Sequence, residues 1–457
     1  MTVASTADNS PAPRPSGAAG PRAAVERSGN GGPEGPALGT TRSLRPDSVD
    51  GPDPALIERT REWRQTRFVR RQQSAEWLIW EAREQAGMPP VAPPGTRYGS
   101  DEWVNPPRPA KCRWRVGEQV SVHHDEGGAA HYGGLMRCGS IWACPVCASV
   151  LRAERAADIG RAVAGWQDQG NALVFVTLTL RHREGDPLRD SMGQLLEGWR
   201  KVQSGRWWQD MKARFGIRGS IRAVEVTLGE NGWHPHLHVL FFCDRPVEAG
   251  DAAVWESLLY SRWADAVTKV GGRLPSRMRG VDVRPATADG RVVGQYLAKL
   301  QDEGHQPKKT SGVASELARF DMKGGRRGSM TPFELLDVVH RADADDDRAA
   351  MRLWCEYVAA TRGKSAIRWT KGLRELCDMD DPEKTDDEIL DEAECSDFRF
   401  LIPGGAYDAL LKNDPVASAL VLRLVEEGRI RQAMELVGGY VPQALVDWRT
   451  GEVRAVG

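Results

Sequence analysis

The sequence predicts an α+β fold, a split βαβ arrangement in which an antiparallel sheet of four to five strands carries helices on one face. Several segments alternate apolar and polar residues at the period of two that half-buried strands require. An Asn-Gly pair between two of these segments is a hairpin signal. In chain order the predicted elements are strand 172–181, helix 188–215, strands 221–228 and 233–242, helix 252–270, strand 280–285 and helix 291–300.

The chain of 457 residues is long enough for two or three domains. Residues 1–50 are rich in Pro, Gly, Ala and Ser, so we expect a disordered tail. A helical segment at 51–110 carries many arginines, and it either packs in the protein or lies along a DNA backbone. The remaining predicted segments are a Cys-rich zinc-binding segment at 111–170, the sheet domain at 171–305, a basic and helical extension at 306–377, a solvated acidic linker at 378–397 and a helical C-terminal region at 398–457.

Composition limits the compartment and the partners. Lys and Arg total 62 against 63 for Asp and Glu, so the net charge is close to zero but unevenly spread. No apolar run approaches the length of a membrane span, and the N-terminus lacks the apolar core of a signal peptide. We therefore expect a cytoplasmic protein with no membrane partner, in which eight cysteines serve as thiols or metal ligands rather than disulfides.

The cysteines predict a structural zinc site. Cys144 and Cys147 form a Cys-Pro-Val-Cys turn whose thiolates point at one centre, and Cys138 is close enough to supply a third ligand. Free structural thiols and a redox pair are the alternatives. The fourth ligand is predicted to be Cys112, with three histidines, His123, His124 and His131, as substitutes.

A strand rich in histidine predicts a second metal site. At a period of two, His234, His236 and His238 share one face of the segment 233–242, and imidazoles at this spacing can reach one divalent cation. A hairpin loop of two or four residues would place Glu225 opposite His238 or His236 on the same face. The alternative is a set of histidines that line a binding cleft without a metal.

The helix predicted at 291–300 supplies a candidate nucleophile. Its helical spacing directs Val293 and Leu297 toward the core and leaves Tyr296 and Lys299 together on another face. A tyrosine hydroxyl is a poor nucleophile unless a cation lowers the charge cost. Taken alone, such a tyrosine is a packing residue; beside a histidine sheet we interpret it as the nucleophile.

Basic side chains predict contacts with DNA. The segment 305–327 is rich in Lys, Arg and Gly and can follow a DNA backbone, although a flexible loop without a partner would have the same composition. The candidate DNA-binding residues are Arg181, Lys308, Lys309, Lys323, Arg326 and Arg327.

Three motifs in this order resemble those of the HUH endonuclease superfamily, and the chain looks most like the rolling-circle replication initiators of actinomycete plasmids and integrative elements. The motifs are Phe175-Val176-Thr177-Leu178-Thr179, His234-Pro235-His236-Leu237-His238 and Tyr296-Leu297-Ala298-Lys299, and the resemblance covers about residues 110–375. The cysteine segment from Cys138 to Cys147 is also similar to that group.

The resemblance implies an activity and its residues. His236 and His238 would bind Mg²⁺ or Mn²⁺, with Glu225 or His234 completing the shell, and Tyr296 would attack the DNA. The family nicks one strand of single-stranded or cruciform origin DNA, keeps the 5′ end as a phosphotyrosine and leaves a 3′ hydroxyl that primes synthesis. Since the chain shows no ATP-binding loop, a host helicase and DNA polymerase would be partners.

One position departs from the family's pattern. Related initiators often carry a glutamate one helical turn before the tyrosine to activate water for termination, where this chain has Val292 or Val293. Glu303, two turns after Tyr296, is the substitute that the spacing offers. Rival hypotheses are a transposase or relaxase of the same fold and a zinc-ribbon DNA-binding regulator without catalysis.

Overall fold

The computed structural model describes residues 54–89, 100–125, 129–285, 330–340, 344–393, 396–440, 444–446 and 453–455. All of these residues belong to one compact unit that begins at Thr40. No helix within these ranges is long and apolar enough to cross a membrane. The predicted tail at 1–50 and the helix predicted at 291–300 lie outside them, as do Tyr296, Lys299, Glu303, Lys308, Lys309, Lys323, Arg326 and Arg327.

The first part of the described chain contains six strands and five helices. They are α1 (Pro54–Gln85), β1 (Gln119–His123), β2 (His131–Gly133), α2 (Pro145–Asp168), β3 (Ala172–Thr179), α3 (Leu188–Val202), α4 (Gly205–Phe215), β4 (Ile217–Gly229), β5 (Gly232–Cys243), α5 (Ala249–Lys269) and β6 (Val281–Pro285), with a 3-10 turn at Arg108–Lys111.

The second part is described from residue 330 onward. It contains a 3-10 helix (Pro332–His340), α6 (Ala344–Thr361), β7 (Ile367–Trp369), α7 (Leu373–Leu376), α8 (Asp386–Glu392), β8 (Phe398–Pro403), α9 (Gly404–Asn413), α10 (Pro415–Glu426), α11 (Ile430–Gly438), β9 (Ala444–Val446) and β10 (Val453–Ala455).

The central sheet has five strands in the order β6-β3-β5-β4-β7, and every neighbouring pair is antiparallel. The four predicted strands and their antiparallel arrangement are therefore confirmed, and β7 adds a fifth. The helix predicted as one element at 188–215 is two helices, because the chain turns at Ser204 and at Gly205, where φ is +77°. Only a residue without a β-carbon adopts that conformation readily.

Two apolar cores lie on opposite faces of the sheet. On one face, alternate residues such as Val176, Leu237 and Phe241 pack against α3, α4, α5 and α6. On the other face, Phe175, Leu240 and neighbouring residues pack against α2. The expectation that helices cover one face only was wrong, because α2 carries an apolar stripe of its own, formed by Ile159, Val163 and Trp166.

The N-terminal and C-terminal segments fold together. Strand β8 pairs with β1 in a sheet of order β2-β1-β8, and α1 packs against α10. Their shared core contains Phe68, Val122, Ile402 and Tyr407. The prediction of a helical C-terminal region was therefore incomplete, since β8 is a strand whose partner lies about 280 positions earlier in the chain.

The acidic segment 378–397 is not a solvated linker. Asp386 and Glu383 form ion pairs with Arg155 of α2, at 2.9 and 3.0 Å. Ile389 and Leu390 of α8 are buried beside the four clustered cysteines. The segment is folded because its carboxylates meet guanidinium groups and its apolar residues meet the core, neither of which a charge count reveals.

Arginines of α1 serve the fold. Arg64 donates hydrogen bonds to Glu426 of α10 at 2.6 and 2.9 Å, and Arg70 pairs with Asp337. Arg71 is buried and donates to the backbone carbonyl of Cys112. These contacts favour the packed interpretation of this helix over one in which it lies along DNA.

Candidate metal centre on the sheet

The β4–β5 hairpin builds the candidate centre. Its loop holds only Glu230 and Asn231, and the strand register pairs Glu225 with His236. The same register pairs Thr227 with His234. Because the loop has an even length, the carboxylate falls on the face of the sheet that carries the histidines, as the Asn-Gly signal predicted.

Three side chains converge at this point. The Nε2 atoms of His236 and His238 lie 2.6 and 2.8 Å from the same carboxylate oxygen, Oε2 of Glu225. Glu225 and His238 are buried, and His236 is partly buried. The three ligand atoms lie within 4.8 Å of one another, a geometry that could hold a metal ion.

The other ring nitrogens of both histidines are also engaged. His236 Nδ1 donates to the backbone carbonyl of His234 at 3.3 Å, and His238 Nδ1 lies 3.3 Å from the hydroxyl oxygen of Thr177. Phe175 stacks on His238 with ring centroids 5.3 Å apart. Contacts of this kind fix the orientation and the tautomer of a metal-binding imidazole, leaving Nε2 directed at the ion.

The charge on Glu225 is stabilised by its neighbours. Burial alone would raise the pKa of this carboxyl, but the adjacent imidazoles of His236 and His238 hold the pKa well below its usual range. The group is therefore a carboxylate at neutral pH, and an anionic oxygen between two imidazoles is a suitable ligand for a divalent cation.

His234 lies beside the converging side chains and is not one of them. Its ring stacks on that of His182 with centroids 4.6 Å apart, and His182 Nδ1 donates to the backbone carbonyl of Asn231 at 2.9 Å. Burial, followed by the neighbouring His236, lowers the pKa of His234 to about 4. Of the two predicted completing ligands, the structure brings Glu225 to the pair. His182 follows β3 in a loop, and no sequence pattern marks it.

The three groups fit a small divalent ion. An octahedral ion with ligands at about 2.1 Å separates neighbouring ligand atoms by about 3 Å. The two nitrogen-to-oxygen distances of 2.6 and 2.8 Å are close to this value, so an adjustment of a few tenths of an ångström would admit the ion. A site with both nitrogen and oxygen donors suits Mn²⁺. A site that supplies a carboxylate and leaves coordination positions of the ion open for water and phosphate suits Mg²⁺.

The four cysteines form a separate cluster. Cys112 Sγ lies 3.5 Å from Cys144 Sγ and 3.6 Å from Cys147 Sγ, and Cys138 Sγ lies 3.7 Å from that of Cys147. Tetrahedral Zn²⁺ with bonds of about 2.3 Å separates its sulfurs by about 3.8 Å. All four side chains are buried, so the predicted set with Cys112 is brought together at the spacing of a structural zinc site.

Histidine does not substitute in this cluster. His123 and His131 stack on each other at 5.3 Å in the β1–β2 hairpin, where His123 contacts Ser121 and the carbonyl of Ser396. Hydrogen bonds from Cys138 and the other two thiols lower the pKa of Cys112, while the hydrogen bond with Cys112 raises that of Cys144. Full ionisation of such a cluster requires a bound cation.

One of the remaining candidate DNA-binding residues, Arg181, lies in the described part of the chain. It is exposed just beyond the end of β3, at the histidine end of the sheet. Trp199 and Trp208 are buried against Phe241 in the helical core.

Comparison with known proteins identifies relatives. A family model described as "Replication protein" matches residues 137–247. A "Protein rep" of Streptomyces lividans is 34% identical over 315 residues, covering 56% of this chain and 67% of that relative. A "Neomycin resistance protein" of Streptomyces cyanogenus is 37% identical over 139 residues, or 25% of this chain and 32% of that protein. A "Protein rep" of a Bacillus species is 36% identical over 73 residues, or 16% and 22% of the two chains. No solved structure matches.

The fold and the two clusters define an α+β protein with an antiparallel sheet and two groups of side chains arranged to hold metal ions. The family match begins just before Cys138 and ends shortly after β5, so it includes three of the clustered cysteines and all of the converging histidines and Glu225. The family match and the similarity to the Streptomyces lividans protein together show that the chain belongs to the replication protein family.

Proposed function

We propose that this protein initiates plasmid replication as an HUH endonuclease that nicks one strand of origin DNA. The observation that carries the proposal is the convergence of His236 and His238 on Glu225, on a sheet of antiparallel strands. Membership of the replication protein family supports DNA as the substrate. The nucleophile, Tyr296, is assigned from its motif in the sequence.

The proposed centre would act through positioning and charge. His236 and His238 would hold Mg²⁺ or Mn²⁺ through Nε2, and Glu225 would balance its charge. When bound, the ion supplies Lewis acidity that withdraws charge from the scissile phosphate. Thr177 and the carbonyl of His234 would keep both imidazoles in the ligand orientation through their contacts at Nδ1.

In the proposed reaction the hydroxyl oxygen of Tyr296 loses its proton, attacks the phosphorus and forms a phosphotyrosine bond to the 5′ end of the strand downstream of the nick. The bond from phosphorus to the 3′ oxygen breaks, and that oxygen takes up a proton. Lys299, three positions after Tyr296 in the sequence, would lower the cost of charge on the phenol. The ester energy is conserved, so rejoining needs no ATP. A host helicase would unwind the duplex, and a host polymerase would extend the free 3′ hydroxyl.

The proposed role of the cysteine cluster is structural. Four protein ligands leave zinc no open position for chemistry. The cluster connects the turn at Arg108–Lys111, helix α2 and the buried residues Ile389 and Leu390. Zinc would therefore hold the N-terminal and acidic segments on the endonuclease domain.

Adduct mapping tests the proposed function. The protein is incubated in Mn²⁺ with labelled oligonucleotides that tile both strands of the replicon's origin, and any peptide that retains label is sequenced. We expect label on Tyr296, no adduct with Tyr296→Phe, and a normal adduct with Tyr440→Phe, whose hydroxyl contacts Asp414 in the C-terminal helices. A non-catalytic DNA-binding regulator would retain DNA without any adduct, and label on another residue would remove Tyr296 from its role.

A further inference from the structure

We infer that residues 271–280, which we name the arginine loop, form with Arg181 the contact surface for the DNA strand that enters the metal centre. In this assignment Arg181 and Arg279 bind phosphates on either side of Thr179, and Met278 contacts a base. The inference rests on the proposed function, because it takes single-stranded DNA as the ligand.

Backbone contacts place the arginine loop beside the metal centre. The Thr179 hydroxyl donates to the carbonyl of Arg279 at 2.6 Å, and the Thr179 N–H donates to the carbonyl of Gly280 at 3.0 Å. Thr179 is in turn the register partner of His236 on the neighbouring strand. At the other side, Arg181 forms an isolated bridge with Arg273 of the loop. The arginine loop therefore lies at the end of the row of residues that runs across neighbouring strands from Glu225 through His236 to Thr179.

The arginine loop carries three arginines and no acidic residue. Two acidic residues close to the loop already form ion pairs: Asp186 pairs with Arg273, and Asp282 pairs with Arg284. Arg277 lies over the ring of Tyr260 at 4.5 Å and donates to Ser257.

Two guanidinium groups are left for a ligand. Within the described ranges, no carboxylate pairs with Arg181 or Arg279, and both residues are exposed. Other arginines of the described fold do have such a partner, among them Arg64, Arg155 and Arg374. Two exposed guanidiniums on residues next to Thr179 of the histidine face are suited to bind phosphates of a strand.

The loop is held in place, and its apolar tip is exposed nonetheless. The Tyr260 hydroxyl donates to the carbonyl of Pro275 at 3.0 Å, and the Gly280 N–H donates to that of Ser276 at 2.7 Å. A β-carbon at Gly280 would lie 2.6 Å from the same Ser276 oxygen, so the turn depends on glycine.

Met278 is 91% exposed, the highest fraction among the exposed large apolar residues of the described chain, and Leu274 is 57% exposed. An ordered loop that presents a methionine between two arginines offers apolar surface to a base and charge to the flanking phosphates. Apolar side chains presented in this way contact or separate bases in other DNA-binding proteins.

Salt-dependent binding tests the phosphate contacts. Fluorescence anisotropy measures the affinity of the full chain for a fluorescein-labelled single-stranded oligonucleotide of mixed sequence over a range of salt concentrations. Each lost phosphate contact reduces the slope of log K against log salt by about 0.7, so Arg181→Ala/Arg279→Ala should reduce it by about 1.4. The matched control is Arg206→Ala/Arg214→Ala on α4, which belongs to the helical layer on the opposite face of the sheet and where Arg206 is 93% exposed.

A second variant tests the base contact. Met278→Ala should weaken binding by about threefold to tenfold at constant salt slope, because apolar contact is lost while charge is kept. Met434→Ala, which removes a half-exposed methionine from α11, should leave the affinity unchanged. Since the substituted side chains are exposed, circular dichroism melting should show all variants folded.

The outcomes separate the two proposals. If the wild type binds the strand and the arginine and methionine variants match their controls, the arginine loop is not the DNA contact, and the proposed endonuclease stands. If the wild type binds no single-stranded DNA at any salt concentration, the proposed function fails, and this inference fails with it.

Discussion

Glu225 Oε2 and His236 Nε2 lie 2.6 Å apart across two antiparallel strands whose register pairs these two residues directly. Backbone pairing therefore sets the spacing of the candidate ligands, and no loop conformation is needed to bring them together. The position of His238, two residues further along the same strand, follows from the pleat alone. A centre built on paired strands is held more rigidly than one built on loops.

Removal of the charge on Glu225 should weaken metal binding. Glu225→Gln keeps the size of the side chain and removes the anionic ligand between His236 and His238, so we expect Mn²⁺ affinity to fall at least about tenfold. Isothermal titration with Mn²⁺ measures this change. Glu230→Gln, at the exposed tip of the same hairpin, is the matched control and should bind as the wild type does. Equal affinities for all three proteins would exclude Glu225 as a ligand.

Loss of the contact between Thr177 and His238 should have a related effect. Thr177→Val preserves shape and removes the hydroxyl that orients the imidazole, and outer partners of this kind change metal affinity about 10- to 100-fold. The readout is again Mn²⁺ titration, with Thr227→Val as the control because Thr227 pairs with His234 instead. If Thr177→Val and Thr227→Val are indistinguishable, the hydroxyl does not support the centre.

Zinc should be found with the purified protein at about one ion per chain, bound by the cysteine cluster. Cys112→Ser should lose that zinc and destabilise the segments that pack on the cluster, so protease cleavage within 378–397 should become faster. Elemental analysis and limited proteolysis measure both effects. Cys355→Ser alters a buried thiol outside the cluster and should keep its zinc. Wild-type protein without zinc that resists proteolysis would contradict the assignment.

The ion pair between Asp158 and Arg374 should contribute to stability. Asp158 of α2 accepts a hydrogen bond from Arg374 at 3.0 Å, and both side chains are buried. Asp158→Ala leaves that guanidinium partly unpaired, which should lower the free energy of unfolding by about 3 kcal/mol. Urea unfolding measures the change. Glu197→Ala, which removes an exposed pair on α3, should be neutral, and an Asp158→Ala variant that is equally neutral would contradict a stabilising role for the pair with Arg374.

Local patterns predicted the centre well. The period of two placed His236 and His238 on one face, and a hairpin signal with an even loop brought Glu225 to the same face. These features depend on neighbours in the sequence, so one strand and its hairpin partner contain the necessary information. The stacking of His182 on His234 depends on a loop after β3 that has no such pattern.

Features that depend on distant partners were not predictable. The alternation in β8 at Phe398, Phe400 and Ile402 is visible in the sequence, but nothing local shows that its partner is β1. The acidic segment looked solvated because the arginines that neutralise it, including Arg155, lie about 230 positions away. Both the pairing of β8 and the folding of the acidic segment depend on tertiary contacts with residues that are distant in the sequence.

Strand cleavage by His236→Ala is the most direct test of the central claim that this centre drives nicking. Wild type, His236→Ala and His131→Ala, a histidine of the β1–β2 hairpin, are incubated with a labelled single-stranded origin oligonucleotide in Mn²⁺, and cleaved product is quantified on a denaturing gel. We expect wild type and His131→Ala to cleave at the same rate and His236→Ala to lose at least about a hundredfold of that rate while it still binds the strand. Full cleavage by His236→Ala would contradict the account.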